Sequence, residues 1–245
     1  MLSTLFLDIE NAPLLVDTWG LWNQNIGINQ IRDSGGMICF SGKFLGDELG
    51  YFYSDHNPGR EGMVKAAHDQ LDQADIVVTW NGKRHDIPHL NREFLELGLT
   101  PPSPYRQVDL YQVARRVFKF PSNKLDYVSQ ALGFAGKVGH EGHLLWVKCM
   151  EGDEDAWRRM EEYNRNDVIL LEELYARFLP WIPSHPAAVV DGIACPKCGS
   201  GRHQKRGYAL TQQSSFQRYQ CLDCGGWFRS TKRESGSHVR EVSNG

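Results

Sequence analysis

"LFLDIENAP", residues 5–13, is a short apolar run broken by two carboxylates, Asp8 and Glu10, at positions where a buried strand carries valine or leucine. Side chains two apart on a strand share a face, so Asp8 and Glu10 project together while Leu7 and Ile9 point the other way. Two carboxylates held that close repel, and burial would protonate them unless a cation lies between them. A hard divalent ion with oxygen ligands is the simplest remedy. Taken alone, a D-x-E stretch reads more simply as an edge strand with two solvated acids, and only the rest of the chain can decide.

With 245 residues, the chain is long enough for one core of ordinary size and a small appendage. Its 41% hydrophobic and 23% charged residues fit a soluble globular protein, and no apolar stretch approaches the ~20 residues of a membrane span. The first residues lack the basic start and apolar core of a signal peptide, so a reducing cytoplasm is the expected location and a membrane is not an expected partner. Four of the six cysteines fall as Cys195-x-x-Cys198 and Cys221-x-x-Cys224, a metal pattern and not a disulfide framework. Cys39 and Cys149 read as ordinary small core or near-surface residues. The net charge is −3, but from Cys195 to Arg240 nine basic residues stand against Asp223 and Glu234. An acidic body with a basic end points to a polyanion as partner.

Residues 2–10 read as a strand, and "GGMICFSGKFLG" and "LGYFYSD" as two further strands in a meander. "EGMVKAAHDQLDQ" (61–73) has helical spacing and leads into "ADIVVTWN", a short buried strand. "DIPHLNREFLELGL" gives a helix with Ile87, Leu90, Phe94 and Leu97 on one stripe and Gly98 as its C-terminal stop. "YRQVDLYQVARRVF" reads as a strand entering a helix, "NKLDYVSQALG" as a second short helix, and Asp153 to Phe178 as the last long one. The pattern describes an α/β fold with a mixed sheet. "LPWIPSHPAAVVDG" (179–192) has three prolines and little periodicity. The expected division is a domain over 1–179, a Pro-rich linker over 180–192 and a basic module with a flexible tail over 193–245.

"IVVTWNGKRHDIPHLNREF" places Asp86 after a buried strand, at the mouth of the next helix, where ligands collect in α/β sheets; a plain helix N-cap would suit the same position. "EEYNRNDVILLEEL" sets Tyr163 and Asp167 four residues apart, hence on one helical face. The three stretches together resemble the DEDD superfamily of exonucleases, the DnaQ-like branch of the RNase H-like fold, and within it the DEDDy type. Its motifs appear in the family's order as Asp8-x-Glu10, Asn81-x-x-x-His85-Asp86 and Tyr163-x-x-x-Asp167. "FPSNKLDYVSQALG" further resembles the segment before the third motif in the exonuclease domains of family-B DNA polymerases and their stand-alone bacterial and phage relatives. The resemblance covers roughly residues 2–178, and His85 departs from it, standing where the family usually has Phe.

The resemblance implies an RNase H-like mixed sheet flanked by helices and two-metal hydrolysis of DNA from its 3′ end, in a bacterial cell or a phage-infected host. On that reading Asp8 and Asp167 hold both ions, Glu10 completes the first, and Asp86 supports the second through water. The ions activate the attacking water and stabilise the leaving 3′ oxygen. Carboxylates and water suit two Mg2+ or Mn2+ ions and not zinc. Tyr163 orients the attacking water, because a phenol of pKa near ~10 is a poor base at neutral pH. Asn81 contacts the terminal nucleotide or braces its loop.

"CPKC" and "CLDC", separated by 22 residues, have the spacing of a four-cysteine zinc ribbon. One structural Zn2+ on Cys195, Cys198, Cys221 and Cys224 would fold the module without doing chemistry. Basic residues alternate there with aromatic ones, and Arg218 and Trp227 are candidate contacts to phosphate and base. Docking to a replication or repair protein is the competing role for the module. For the whole chain the alternatives are a 3′-5′ exoribonuclease, a non-catalytic nucleic-acid adaptor and an RNase H-like endonuclease or transposase. The complete acid set with Tyr163 weighs against the last two.

Overall fold

In the computed structural model, which describes residues 2–139, 141–188 and 192–236, the opening run becomes β1 (Thr4–Asn11), the middle strand of a five-stranded sheet. After it come β2 (Leu15–Val16), β3 (Ile31–Asp33), β4 (Met37–Phe44) and β5 (Tyr51–Ser54), then α1 (Arg60–Asp72), β6 (Ile76–Thr79) and α2 (Asp86–Glu96). β7 (Arg106–Asp109) runs directly into α3 (Leu110–Val117), followed by α4 (Leu125–Ala131), α5 (His143–Met150) and α6 (Glu154–Phe178). The sheet order is β5-β4-β1-β6-β7. β4 pairs with β1 and β5 antiparallel, whereas β1, β6 and β7 run parallel, so the sheet is mixed, as the patterning predicts.

The two faces of β1 have different jobs. Leu5, Leu7 and Ile9 pack with Met63, Val64, Ala67 and Leu71 of α1 and with Ile87, Leu90 and Phe94 of α2. On the other face, the Phe6 ring meets Tyr175 of α6 edge-on at 5.3 Å, and Asp8 and Glu10 follow Phe6 along the same side of the strand. α5 and α6 complete that layer through Leu145, Cys149, Ala156, Trp157 and Met160, which pack with Ile38 and Cys39 of β4. Gly98 ends α2 with a positive φ of 72°, and the amide of Leu99 reaches back to the carbonyl of Phe94.

Two elements go beyond the sequence reading. The long connection after β1 contains the small β2–β3 pair, closed by the Ala12 amide donating to the Gly36 carbonyl. "HLLWVKCM" forms α5, yet only Leu145 and Cys149 of it are buried, so its apolar residues make no readable helical stripe.

The contacts divide the chain between Tyr175 and Ala176, inside α6, with residues 3–175 as one compact unit. The segment expected as a linker begins with a 3-10 turn at Leu179–Trp181 and a buried Ile182, and residues 189–191 lie outside the described residues. The C-terminal unit carries an antiparallel sheet of order β10-β9-β8, from β8 (His203–Leu210), β9 (Ser214–Cys221) and β10 (Trp227–Gly236). The end of the basic tail, 237–245, also falls outside the described residues. Among the described residues no helix is long and apolar enough to cross a membrane.

The turn from β6 to α2 is packed to its limit. A Cβ on Gly82 would lie 2.3–2.6 Å from the buried Thr79 side chain. Gly82→Ala is therefore expected to cost about 1–3 kcal/mol in urea unfolding, as overpacked sites do. It should also weaken divalent-ion binding, because the same turn carries Asn81 and Asp86; an unchanged urea midpoint would refute the packing account.

Candidate functional site

β1 delivers Asp8 and Glu10, and α6 delivers Asp167 from a nearly closed position, 1% exposed. One carboxylate oxygen from each of the three lies within 4.8 Å of the others. Asp86 is the first residue of α2 and not its N-cap, a place taken by His85. Its Oδ1 accepts instead from the Ile9 amide at 3.3 Å, which ties the α2 N-terminus to the stretch of β1 between the two acids. Asn81 enters the same turn with a positive φ of 70°, and its amide donates to Asp109 Oδ1 at 3.1 Å.

Residues that sequence reasoning missed complete the arrangement. Asn164, next to Tyr163 on α6, donates from Nδ2 to Asp8 Oδ2 at 2.7 Å. Lys137, from the loop after α4, donates to Asp167 Oδ2 and, at 2.9 Å, to the Tyr163 hydroxyl. That loop is held by the Lys137 amide donating to Asp126 Oδ1 at 2.9 Å. Trp146 of α5 hydrogen-bonds Glu10, and its ring meets Tyr163 edge-on at 6.0 Å. Asn164 and Asp126 stand inside stretches the sequence already marks; Lys137 sits in a glycine-flanked loop that carries no signal.

The acids open into a cleft of about 620 Å3. Asp8, Glu10, Asp86, Asp167 and Lys137 line it together with the rings of Trp80, His85 and Tyr111 and the 122–126 segment. Trp80 Nε1 donates to the Asn123 carbonyl at 3.2 Å and so fixes that segment. A charged, oxygen-rich side and an aromatic side therefore share one opening, the combination that a phosphate joined to a base requires.

Burial sets the electrostatics. It raises the Asp8 carboxyl well above the usual range, and Asp167, Asp86 and Glu10 add repulsion in the same direction. Burial also pushes Glu10 up to about 8 against the pull of Lys137, and Asp86 up to about 7 against the backbone amides it accepts from. Loss of solvation is the largest single effect on Lys137 and would lower it, but Asp167, Tyr163 and Asp8 together outweigh that loss and hold the ammonium above its ordinary value. Tyr163 is raised by burial first and by Glu10 and Asp167 next, so its phenol keeps its proton at neutral pH. Among the described residues, Lys137 is the cation bonded to this cluster, one charge against several carboxylates. An oxygen-only donor set with unbalanced negative charge fits a hard divalent ion.

A second cluster lies in the C-terminal unit. The sulfurs of Cys195 and Cys224, and of Cys198 and Cys221, are 3.6 Å apart, and all four lie within 4.8 Å of one another. A tetrahedral ion with Zn–S bonds of ~2.3 Å needs its sulfurs roughly 3.8 Å apart. The knuckles are shaped by the Gly199 amide donating to the Cys195 carbonyl and the Cys221 amide to the Gly226 carbonyl. Arg218 and Trp227, expected to touch substrate, stand on β9 and β10 of the C-terminal sheet. Cys39 and Cys149 are both buried.

The raised carboxyls have a consequence for stability. In folded, metal-free chain Glu10 retains a proton from about pH 4.5 to about 8 that the unfolded chain has released, so stability falls as pH rises through that window. Metal-depleted protein, prepared without chelator to leave the thiol cluster loaded, should melt higher at about pH 5.5 than at about pH 8. Magnesium added at the higher pH should restore the loss, and Glu10→Gln should flatten the slope. Identical slopes for wild type and Glu10→Gln in a melting series would show that Glu10 ionises without a cation.

The family model of the RNase H superfamily, RNase_H_2, matches residues 30–179, more than half of the chain. The match begins after β1, so Asp8 and Glu10 join it through the sheet and not through the match itself. Among solved structures, the family B DNA polymerase from the hyperthermophilic archaeon Pyrobaculum calidifontis aligns with a TM-score of 0.56 at 18% identity, over 74% of this chain and 25% of the polymerase chain. No curated protein matches. With its mixed five-stranded sheet, flanking helices and family match, the chain belongs to the RNase H superfamily.

Proposed function

We propose that the chain is a metal-dependent 3′-5′ exonuclease acting on DNA. The observation that carries the reading is the convergence of Asp8, Glu10 and Asp167 within 4.8 Å, with the Tyr163 hydroxyl fixed one helical turn from Asp167 by Lys137. Asp8, Glu10 and Asp167 would hold Mg2+ or Mn2+, with Asp86 supporting. Such ions, when bound, supply charge to the phosphate in flight and an activated water. Tyr163 acts by position: Lys137 donates to its oxygen and so holds the hydroxyl beside Asp167, where it would orient a substrate or water oxygen. Asn164 fixes the Asp8 carboxylate, and Trp146 does the same for Glu10. Asn81 braces its loop through Asp109, and Trp80 and Tyr111 offer the terminal base an aromatic wall.

The DEDDy arrangement of these residues supports removal of nucleotides from a 3′ end, and the likeness to a DNA polymerase supports DNA as the substrate. The four thiolates would hold one zinc as a closed, structural site. Replication or repair proteins are the partners this activity would serve, in the cytoplasm.

Oligonucleotides labelled at the 3′ or the 5′ end, as DNA and as RNA, test polarity and sugar together. Wild type with magnesium should release 3′ mononucleotides from DNA. Asp8→Asn and Asp167→Asn should each lose at least roughly 1,000-fold, and Tyr163→Phe about 10–100-fold in kcat with KM little changed. Cleavage of circular single-stranded DNA, release from the 5′ end, or full activity in Asp8→Asn would overturn the assignment.

A further inference from the structure

The C-terminal sheet has two unlike faces, set by the register of its strands. Tyr219 of β9 stands opposite Phe228 of β10 and Lys205 of β8, and His203 stands opposite Cys221. On that face Tyr219 and Phe228 stack at 5.2 Å, and His203 meets both edge-on, forming the core beside the cysteines. The alternate residues share the opposite face: Gln220 with Trp227 and Gln204, Arg218 with Arg229, and Phe216 with Arg233. Arg206, two residues on from Gln204, joins them.

This second face carries four exposed arginines and no carboxylate of its own. Among the described residues none of the four lies within ion-pair distance of an acid, although Arg202 on the same module pairs with Asp223. Three of the guanidinium groups are set in place by neutral contacts. Arg218 and Arg206 lie over the Trp227 ring at 5.2 and 6.0 Å, and Arg229 over Phe216 at 3.8 Å. Arg218 spends its Nε on the Arg206 carbonyl, and Arg206 its Nε on Gln220 Oε1. Both side chains are exposed, the bonds just named use Nε and not the terminal nitrogens, and the Trp227 ring, 48% exposed, lies between them.

We infer that this face binds single-stranded nucleic acid, its arginines on successive phosphates and Trp227 stacked on a base. Arginine and tryptophan also suit protein interfaces, but four guanidinium groups with no acid paired to them among the described residues call for a partner with regularly spaced negative charge, which a nucleic-acid strand supplies at every phosphate. A duplex would meet the arginines, but its stacked bases would give Trp227 nothing to stack on. The proposed nuclease activity enters only in making that strand the enzyme's own substrate.

The test is fluorescence anisotropy of the full chain with labelled (dT)30, its ribo counterpart and a 30-base-pair duplex. Omitting divalent ions and chelator prevents cleavage and leaves the thiol-bound metal in place. Both single strands should bind at least tenfold tighter than the duplex, with log K falling against log salt at a slope near −3, about −0.7 for each of four phosphates. Arg206→Gln and Arg218→Gln should each reduce that slope by about 0.7. Trp227→Ala should weaken binding several-fold at constant slope, and Arg218→Lys should keep the slope while losing affinity. Metal content per chain and melting temperature, measured for every variant, separate lost contact from lost fold. Wild-type affinity and slope in the Arg206→Gln, Arg218→Gln double variant, or equal binding of duplex, would overturn the inference. Hydrolysis of thymidine 5′-monophosphate p-nitrophenyl ester by wild type with magnesium tests the nuclease reading separately; failure there with strand binding intact removes the activity and leaves this surface standing.

Discussion

The repulsion among buried carboxylates is the constraint to which the rest of the catalytic unit answers. Asp8, Glu10, Asp86 and Asp167 all project into one opening; burial raises the first three, with repulsion inside the set adding to it at Asp8 and Glu10 and repulsion from Asp109 at Asp86. Lys137, Asn164, Trp146 and the Ile9 amide each favour the ionised form, but one ammonium and a few dipoles do not balance the set. The opposite face of the same strand supplies the compensation. Leu5, Leu7 and Ile9 each contribute roughly 2 kcal/mol of burial against α1 and α2. Strand alternation thus lets one segment be core on one side and a cluster of acids on the other.

Topology explains why the cage forms where it does. β1 is the strand at which the sheet changes direction, antiparallel to β4 on one side and parallel to β6 on the other. The C-terminal ends of β1, β6 and β7 therefore point the same way and deliver Asp8 and Glu10, the Asn81–Asp86 turn and Asp109 to one edge. Crevices at such a change of direction are where α/β sheets bind ligands. α6 lies across this edge with Tyr175 on Phe6, and two to three turns earlier it brings Asp167 and Asn164 against Asp8. Changing the register of α6 on β1 by one residue would remove both.

How much of this was legible follows from the range of each interaction. The alternation of residues 5–10, the 3.6-residue periodicity of α1, α2 and α6, and the paired cysteines are local patterns, and each is realised where the sequence puts it. The four acids and Tyr163 were legible through the order of three short motifs. Lys137 was not: its partners lie 26 and 30 residues away, and its loop has neither periodicity nor a charged neighbour to mark it. Asn164 read as a spacer inside its own motif because its contact, Asp8, is 156 residues distant. Asp86 was read as a site residue with a plain helix cap as the alternative, and the contact that decides against the cap, from the Ile9 amide, lies 77 residues away. Likewise Arg218 and Trp227 stood out as residue types, whereas the face they share with Arg206 and Arg229 depends on the register and on the irregularity between Lys205 and Tyr208.

The uneven charge of the chain acquires a physical meaning from these two sites. The net charge is −3 although the C-terminal module is strongly basic, so the RNase H-like unit is acidic and would by itself repel a polyanion. Ions in the cleft cancel that repulsion only locally, since at physiological salt a charge is screened beyond about 8 Å. Attraction of a strand from solution therefore falls to the arginine face, which faces no competing carboxylate among the described residues. If the proposed function holds, capture and cleavage are carried by one chain and would act on the same strand. Affinity and chemistry are in this way assigned to different residues. The acids can then be buried for catalysis without any loss of capture.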